Sequence, residues 1–179
     1  MLSRGDTMVE ANLIITYDPA HAGSAKEEVD KVLKEIKNEA KYLKSGIDGI
    51  FNTRVKDARK IVKELAKLCR KKPDLFDKTF HWIPIDKWVK ASVGGMQKEI
   101  KKFDKLIKEK EKWKMDLGKR KTDKHEANLI IKLTEVINKP NVDLEKPDKI
   151  VKVEIIGNKA GLALLNKDEL LNIPKLKAN

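Results

Sequence analysis

The apolar positions of this chain fall into short blocks, and most of the architecture can be read from where their period changes. Asn12-Leu-Ile-Ile-Thr-Tyr17 is a short apolar run closed by Asp18-Pro19, which predicts a strand and a turn. Ala25, Val29, Val32, Leu33, Ile36 and Ala40 then recur at helical spacing, with Ser24 and Glu27 as an S-x-x-E capping box at the front. The stretches 42–45 and 50–55 flank Gly46 and Gly49 and predict a hairpin. A second helix carries Ala58, Ile61, Val62, Leu65 and Leu68 on one face and ends before Pro73. Phe80-His-Trp-Ile-Pro-Ile85 returns as a strand, with Pro84 suited to an edge or a bulge. This βαββαβ order predicts a ferredoxin-like unit over residues 1–89.

Gly94-Gly95 opens a different pattern. Met96, Ile100, Phe103 and Ile107 form the buried stripe of a third helix whose other faces are crowded with lysine. Trp113-Lys-Met-Asp-Leu-Gly-Lys-Arg-Lys121 alternates apolar and polar residues and ends in consecutive cations, a basic strand. A helix opened by Thr122 or Asp123 follows, with Ala127, Ile130, Ile131, Thr134 and Ile137 as its inward positions. Beyond a loop holding Pro140 and Pro147, the stretches 150–156 and 160–165 predict an apolar hairpin about Gly157-Asn158. The second domain is expected over residues 90–173, with 174–179 as a loose tail. The fold class is α+β.

Composition narrows what such a fold can do. Hydrophobic residues make up 40% of 179 residues and charged ones 38%, so a core is possible under a densely ionic surface. Cys69 is the lone cysteine, which excludes an internal disulfide and a thiolate metal cluster. No run of 18 apolar residues occurs and Met1–Ala11 lacks a signal-peptide core, so a cytoplasmic protein is expected. Met8 is an alternative start, with Met1–Thr7 as a leader. No G-x-G-x-x-G is present, no phosphate motif follows Gly94-Gly95, and no cofactor is expected. His21, His81 and His125 are too scattered to predict a metal site.

Charge points to the partner. Lys+Arg number 40 against 28 Asp+Glu, a formal +12, and residues 87–124 alone hold 14 against 6. A bias toward charged residues in general would raise both signs; only an anionic partner explains a clustered surplus of one. The backbone contacts expected from the pattern are Lys112, Lys114, Lys119, Arg120, Lys121 and Lys124. Arg120 ranks first because its guanidinium can bind a phosphate through two parallel hydrogen bonds. Core packing is the better reading for Trp82, Trp88 and Trp113, although the first two could stack on bases.

Three of these segments together resemble a THUMP domain: Lys112-Trp-Lys-Met-Asp-Leu-Gly-Lys-Arg-Lys121, Val142-Asp-Leu-Glu-Lys-Pro-Asp148 and Ile150-Val-Lys-Val-Glu-Ile-Ile156. The resemblance covers roughly residues 90–173 and rests most on the V-D-L-x-x-P-D loop. It implies binding of tRNA and its delivery to a catalytic domain. By size and architecture the chain is similar to the stand-alone THUMP proteins that assist tRNA cytidine acetyltransferase, where the partner carries the acetyl-CoA and ATP chemistry. The expectation is therefore a non-catalytic tRNA-binding adaptor, not itself an enzyme, with that acetyltransferase as partner. The alternatives are a tRNA-modifying enzyme in its own right, or a THUMP subunit of a thiolation or methylation system.

Overall fold

The computed structural model describes residues 10–122 and 126–179. It is a mixed α+β chain in two compact units, one of residues 1–84 with 170–179, the other of 85–169. The readings that fall on Met1–Thr7, Met8, Asp123, Lys124 and His125 lie outside the described residues.

In the first unit the elements run β1 (Leu13–Tyr17), α1 (Ala22–Glu35), β2 (Lys41–Leu43), β3 (Ile50–Arg54), α2 (Ala58–Lys71) and β4 (Thr79–Pro84). The sheet order is β2-β3-β1-β4, every neighbouring pair antiparallel, and β9 (Leu171–Asn172) adds a fifth strand beside β4. Leu13 and Ile15 face a core built with Val29, Val32 and Leu33 of α1 and Ile61, Val62 and Leu65 of α2. The two helical stripes read from the sequence are thus the buried ones, although Cys69 rather than Leu68 closes the second. Burial raises the Cys69 thiol pKa, which leaves it a packing residue. Pro84 ends β4, past His81 and Trp82, the two positions that β9 reaches.

The capping box is absent. Helix α1 begins at Ala22 behind a 3-10 turn that Asp18 caps, so Ser24 already lies inside the first turn. Nothing in the pattern singles out Glu28, which stands in the charged run Lys26-Glu27-Glu28 of an amphipathic helix. Its buried carboxylate accepts the backbone N–H groups of Asp77, Lys78 and Thr79 at 2.7–2.8 Å, tying the approach to β4 onto α1.

The second unit holds β5 (Lys87–Lys90), α3 (Val93–Asp104), β6 (Trp113–Arg120), α4 (Glu126–Thr134), β7 (Lys149–Ile156) and β8 (Lys159–Asn166). Its sheet order is β5-β8-β7-β6, with β6 on the edge and parallel to β7. Met96, Ile100, Phe103 and Ile107 are buried, as the stripe predicts. The α4 stripe is Leu129, Leu133 and Ile137, while Ala127 and Ile131 are exposed. Both registers have helical spacing, and packing on the sheet decides between them.

Two boundaries also differ from the sequence reading. The 89/90 cut falls inside the reach of β5, which pairs with β8 and so belongs to the second unit. The tail from 174 is the helix α5 (Ile173–Ala178), capped by Asn172 and packed through Leu176 and Ile173 on the first unit's core. Both errors have one cause: strand partners distant in sequence cannot be read from local period.

Candidate nucleic-acid interface

Strand β6 owes its rigidity to what holds each end. At its start the Asp148 carboxylate accepts the N–H of Lys112 at 2.9 Å, and the Lys112 carbonyl accepts the N–H groups of Asp148 and Lys149. Trp113 bonds to Asn141 and Asp143 through its backbone and to the Lys139 carbonyl through its indole N–H. Asp143 turns the loop by accepting from Glu145 and Lys146 at 3.0 and 2.9 Å, and its other oxygen meets Lys112 Nζ at 3.4 Å. The V-D-L-x-x-P-D signature is therefore a clamp: its aspartates are spent on backbone donors and on Lys112, and Pro147 is buried.

These bonds hold the Asp143 carboxyl below the usual carboxylate range, first through the N–H groups of Lys146 and Glu145, with Lys112 adding to them. A carboxyl depressed in the folded state stabilises the fold above its unfolded pKa, and that contribution is lost as pH falls through the folded value. Amide exchange at Glu145 and Lys146 is therefore expected to speed up below about pH 4, beyond the intrinsic rate. Asp143→Asn should abolish that acid-side change. An unchanged pH profile in the variant would show that Asp143 does not hold the turn.

Of the six cations expected to touch RNA, Lys124 lies outside the described residues, and the other five do not form one patch. Lys112 stands at the start of β6, about 25 Å from Arg120 at the strand's rise per residue, and is already paired with Asp143. Lys114 is half-buried and six residues short of the strand end. Lys119, Arg120 and Lys121 are consecutive at the carboxyl end of β6, where Lys119 leaves the strand on the face of Trp113 and Leu117 and Arg120 on the opposite one. Lys121 has φ 50, a left-handed conformation that costs a non-glycine residue energy and here turns the chain off the strand.

The sheet adds two cations that the sequence reading missed. Register places Arg120 beside Ile156, Ile156 beside Lys159, and Lys159 beside Lys90. Paired residues leave a sheet on the same face, so Lys90, Lys159 and Arg120 form one row across the strand ends, about 14 Å long. Gly157, at φ 63, turns the β7–β8 hairpin there and donates its N–H to the Arg120 carbonyl at 2.9 Å. Helix α3 starts immediately after Lys90 and Ala91, so its positive dipole end lies at the same edge. Only the parallel pairing of β6 with β7 brings Lys159 to Arg120, and nothing local in the sequence announces it.

Two rows inward on this face lies a buried ion cluster. Lys152 Nζ meets Glu154 Oε1 at 2.7 Å and Asp116 Oδ1 at 3.0 Å. Gly118 lies beside Glu154, and a Cβ there would overlap both oxygens of its carboxylate. The cluster fixes β6 to β7 just beneath the cationic row.

Gly94-Gly95 opens α3, where Gly95 accepts the close approach of Ser92 Oγ and the Lys90 carbonyl: a Cβ would lie 2.9 and 3.1 Å from them. That glycine makes room for its own chain at the start of α3. Among the described residues no group of three or more His, Cys, Asp or Glu could hold a metal, and no helix is long and apolar enough to cross a membrane. Trp82 and Trp113 are buried and Trp88 is half-buried.

No protein-family model matches the chain, and no curated protein does. Solved structures do match in fold. PH1313 from Pyrococcus horikoshii is 15% identical with a TM-score of 0.58, over 86% of this chain and 53% of its own. A 4-thiouridine synthetase in complex with RNA and ATP is 12% identical with a TM-score of 0.52, over 92% of this chain and 42% of its own. A predicted N6-adenine-specific DNA methylase from Listeria monocytogenes is 9% identical with a TM-score of 0.55, over 88% and 40%. The chain thus spans about half, or less, of the proteins it resembles. Further matches are described as methylases or methyltransferases, one complexed with SAH. These likenesses overturn the expectation of a non-catalytic adaptor that is no enzyme, since several of the matched proteins are described as methylases or methyltransferases. What they establish for this chain is a THUMP-like α+β fold.

Proposed function

We propose that the chain is the RNA-holding portion of a tRNA-modifying enzyme, with methyl transfer as the first reaction to test and thiolation as the second. The observation that carries this reading is the row Lys90, Lys159 and Arg120, flanked by Lys119 and Lys121, on the rigid ends of a four-stranded sheet. A fixed cationic row suits the phosphate backbone, which dominates affinity for nucleic acid. The reaction class rests on the neighbours, several of which are methylases and one a 4-thiouridine synthetase bound to RNA. No catalytic step is assigned to the residues described.

Deleting the coding sequence from its own genome and surveying tRNA nucleosides by mass spectrometry tests the reading. Loss of one methylated or thiolated nucleoside, restored by the intact gene, is the expected result. An unchanged nucleoside profile would sink it. Cytidine acetylation, the finer expectation from the resemblance, has no counterpart among the matched structures named above; selective loss of acetylated cytidine would bring it back in place of methyl transfer.

A further inference from the structure

The first unit has a basic cleft of its own. It is an open cavity of about 710 Å³ walled by Lys37, Lys41, Arg54 and Lys56, with Glu39 as the acidic side chain among its lining residues. Lys41 and Arg54 are register partners on β2 and β3, so their side chains leave one face of the sheet from adjacent positions. Like charges so placed destabilise a strand pair unless something neutralises them. Arg54 donates to the carbonyl of Glu10 at 3.3 Å, and Lys37, Lys41 and Lys56 meet no carboxylate within ion-pairing distance among the described residues.

Lys37 adds an independent observation. Helix α1 ends with the N–H of Asn38 on the Leu33 carbonyl at 2.8 Å and that of Lys37 on the Lys34 carbonyl at 3.0 Å. This is a Schellman closure, whose turning residue is usually glycine because it must be left-handed. Here it is a lysine at φ 57, at a cost of about 1 kcal/mol relative to glycine. The negative end of the α1 dipole repays part of that cost for a cation at this point. It does not explain three more cations drawn from an edge strand, its neighbour and the loop before α2.

We propose that this cleft is a second RNA contact, which takes the phosphodiester backbone independently of the strand-end row. The inference rests on the RNA-binding reading above. A polyanion fits better than a single phosphate for two reasons. The cations line the wall of a wide open cavity, and the nearest helix N-terminus, that of α2, is already closed by Asp57 on the N–H of Lys60.

The test is tRNA binding by the full chain, followed by fluorescence anisotropy across a salt series. Lys41→Ala with Arg54→Ala is expected to weaken binding about 10-fold at ~0.15 M salt and to flatten the log K against log salt slope by about 2. Lys37→Gly is expected to leave thermal stability unchanged or raised, yet to weaken binding about 3-fold, since glycine relieves the turn while removing a contact. A merely structural lysine would not separate those two readouts. If the double variant keeps native affinity and slope while alanines at 119–121 abolish binding, the cleft inference fails and the strand-end reading stands. If the native chain binds no tRNA, both fail. If polyglutamate binds as tightly as tRNA and needs Lys41 and Arg54 to do so, the cleft serves acidic protein and the inference is wrong.

Discussion

Replacing Lys119, Arg120 and Lys121 together by alanine should weaken tRNA binding about 100-fold near 0.15 M salt, if each exposed phosphate contact contributes about 1 kcal/mol. The slope of log K against log salt should flatten by about 2 to 3, because each lost phosphate contact releases roughly 0.7–0.9 fewer counterions. Stability should change little, since Lys119 and Lys121 are exposed and Arg120 is half-buried at a strand end. Alanine at 121 keeps the left-handed turn at a cost like that of lysine. Lys112→Ala provides the internal contrast: it lies at the other end of β6 and is paired with Asp143, so less than about a 3-fold change is expected. A loss from Lys112→Ala equal to one third of the triple variant's in free energy, about 5-fold, would mean that net charge alone, rather than the row at the strand ends, governs binding.

That contrast marks the limit of what the sequence could say about the site. The alternation of Trp113, Met115 and Leu117 against Lys112, Lys114 and Asp116 located β6 and its faces correctly, because period is a local property. Charge counting then grouped Lys112 with Arg120, which lie at opposite ends of β6, about 25 Å apart on an extended strand. Lys90 and Lys159 went unnoticed for the opposite reason. They lie 30 and 39 residues from Arg120, yet stand in its row through three strand pairings. The same non-local pairing hid β5, β9 and α5 and shifted the unit boundaries. Most of each helix stripe, in contrast, was legible in α1, α2 and α3, although Ala40 lies beyond the end of α1 and Cys69 stands in for Leu68 in α2. In α4 two overlapping stripes have helical spacing: Ile130 and Ile137 of the expected one do pack on the core, while Leu129 and Leu133 are buried where Ala127 and Ile131 are exposed.

The second large effect is on stability. Lys152→Ala should destabilise the second unit by about 3–5 kcal/mol, the usual cost of removing one partner from a buried ion cluster. Lys152 is 4% exposed and Glu154 6%, so the carboxylate left behind has little access to water. Burial alone would pull the Lys152 ammonium pKa down, but Glu154 and then Asp116 outweigh it and hold the pKa above the ordinary lysine value. A cation raised in the folded state contributes its stability below the unfolded pKa and loses it only as pH rises through the folded value. The penalty for the variant should therefore be full at neutral pH and shrink only in strong alkali.

Amide exchange of β7, read against that of β1 in the other unit, would isolate the loss to the sheet that carries the cluster. Lys152→Met combined with Glu154→Leu should recover most of the stability, because replacing a buried pair with apolar residues is often close to neutral. Binding separates the roles further. In Lys152→Met alone, the Glu154 carboxyl is left without its partner, two residues along β7 from Ile156, the neighbour of Arg120. It can then compete with phosphate for the guanidinium, so tRNA affinity should fall in the single variant and return in the double. Were the single variant as stable as the native chain, water would have to reach Glu154, and the cluster could not be what holds the cationic row in place.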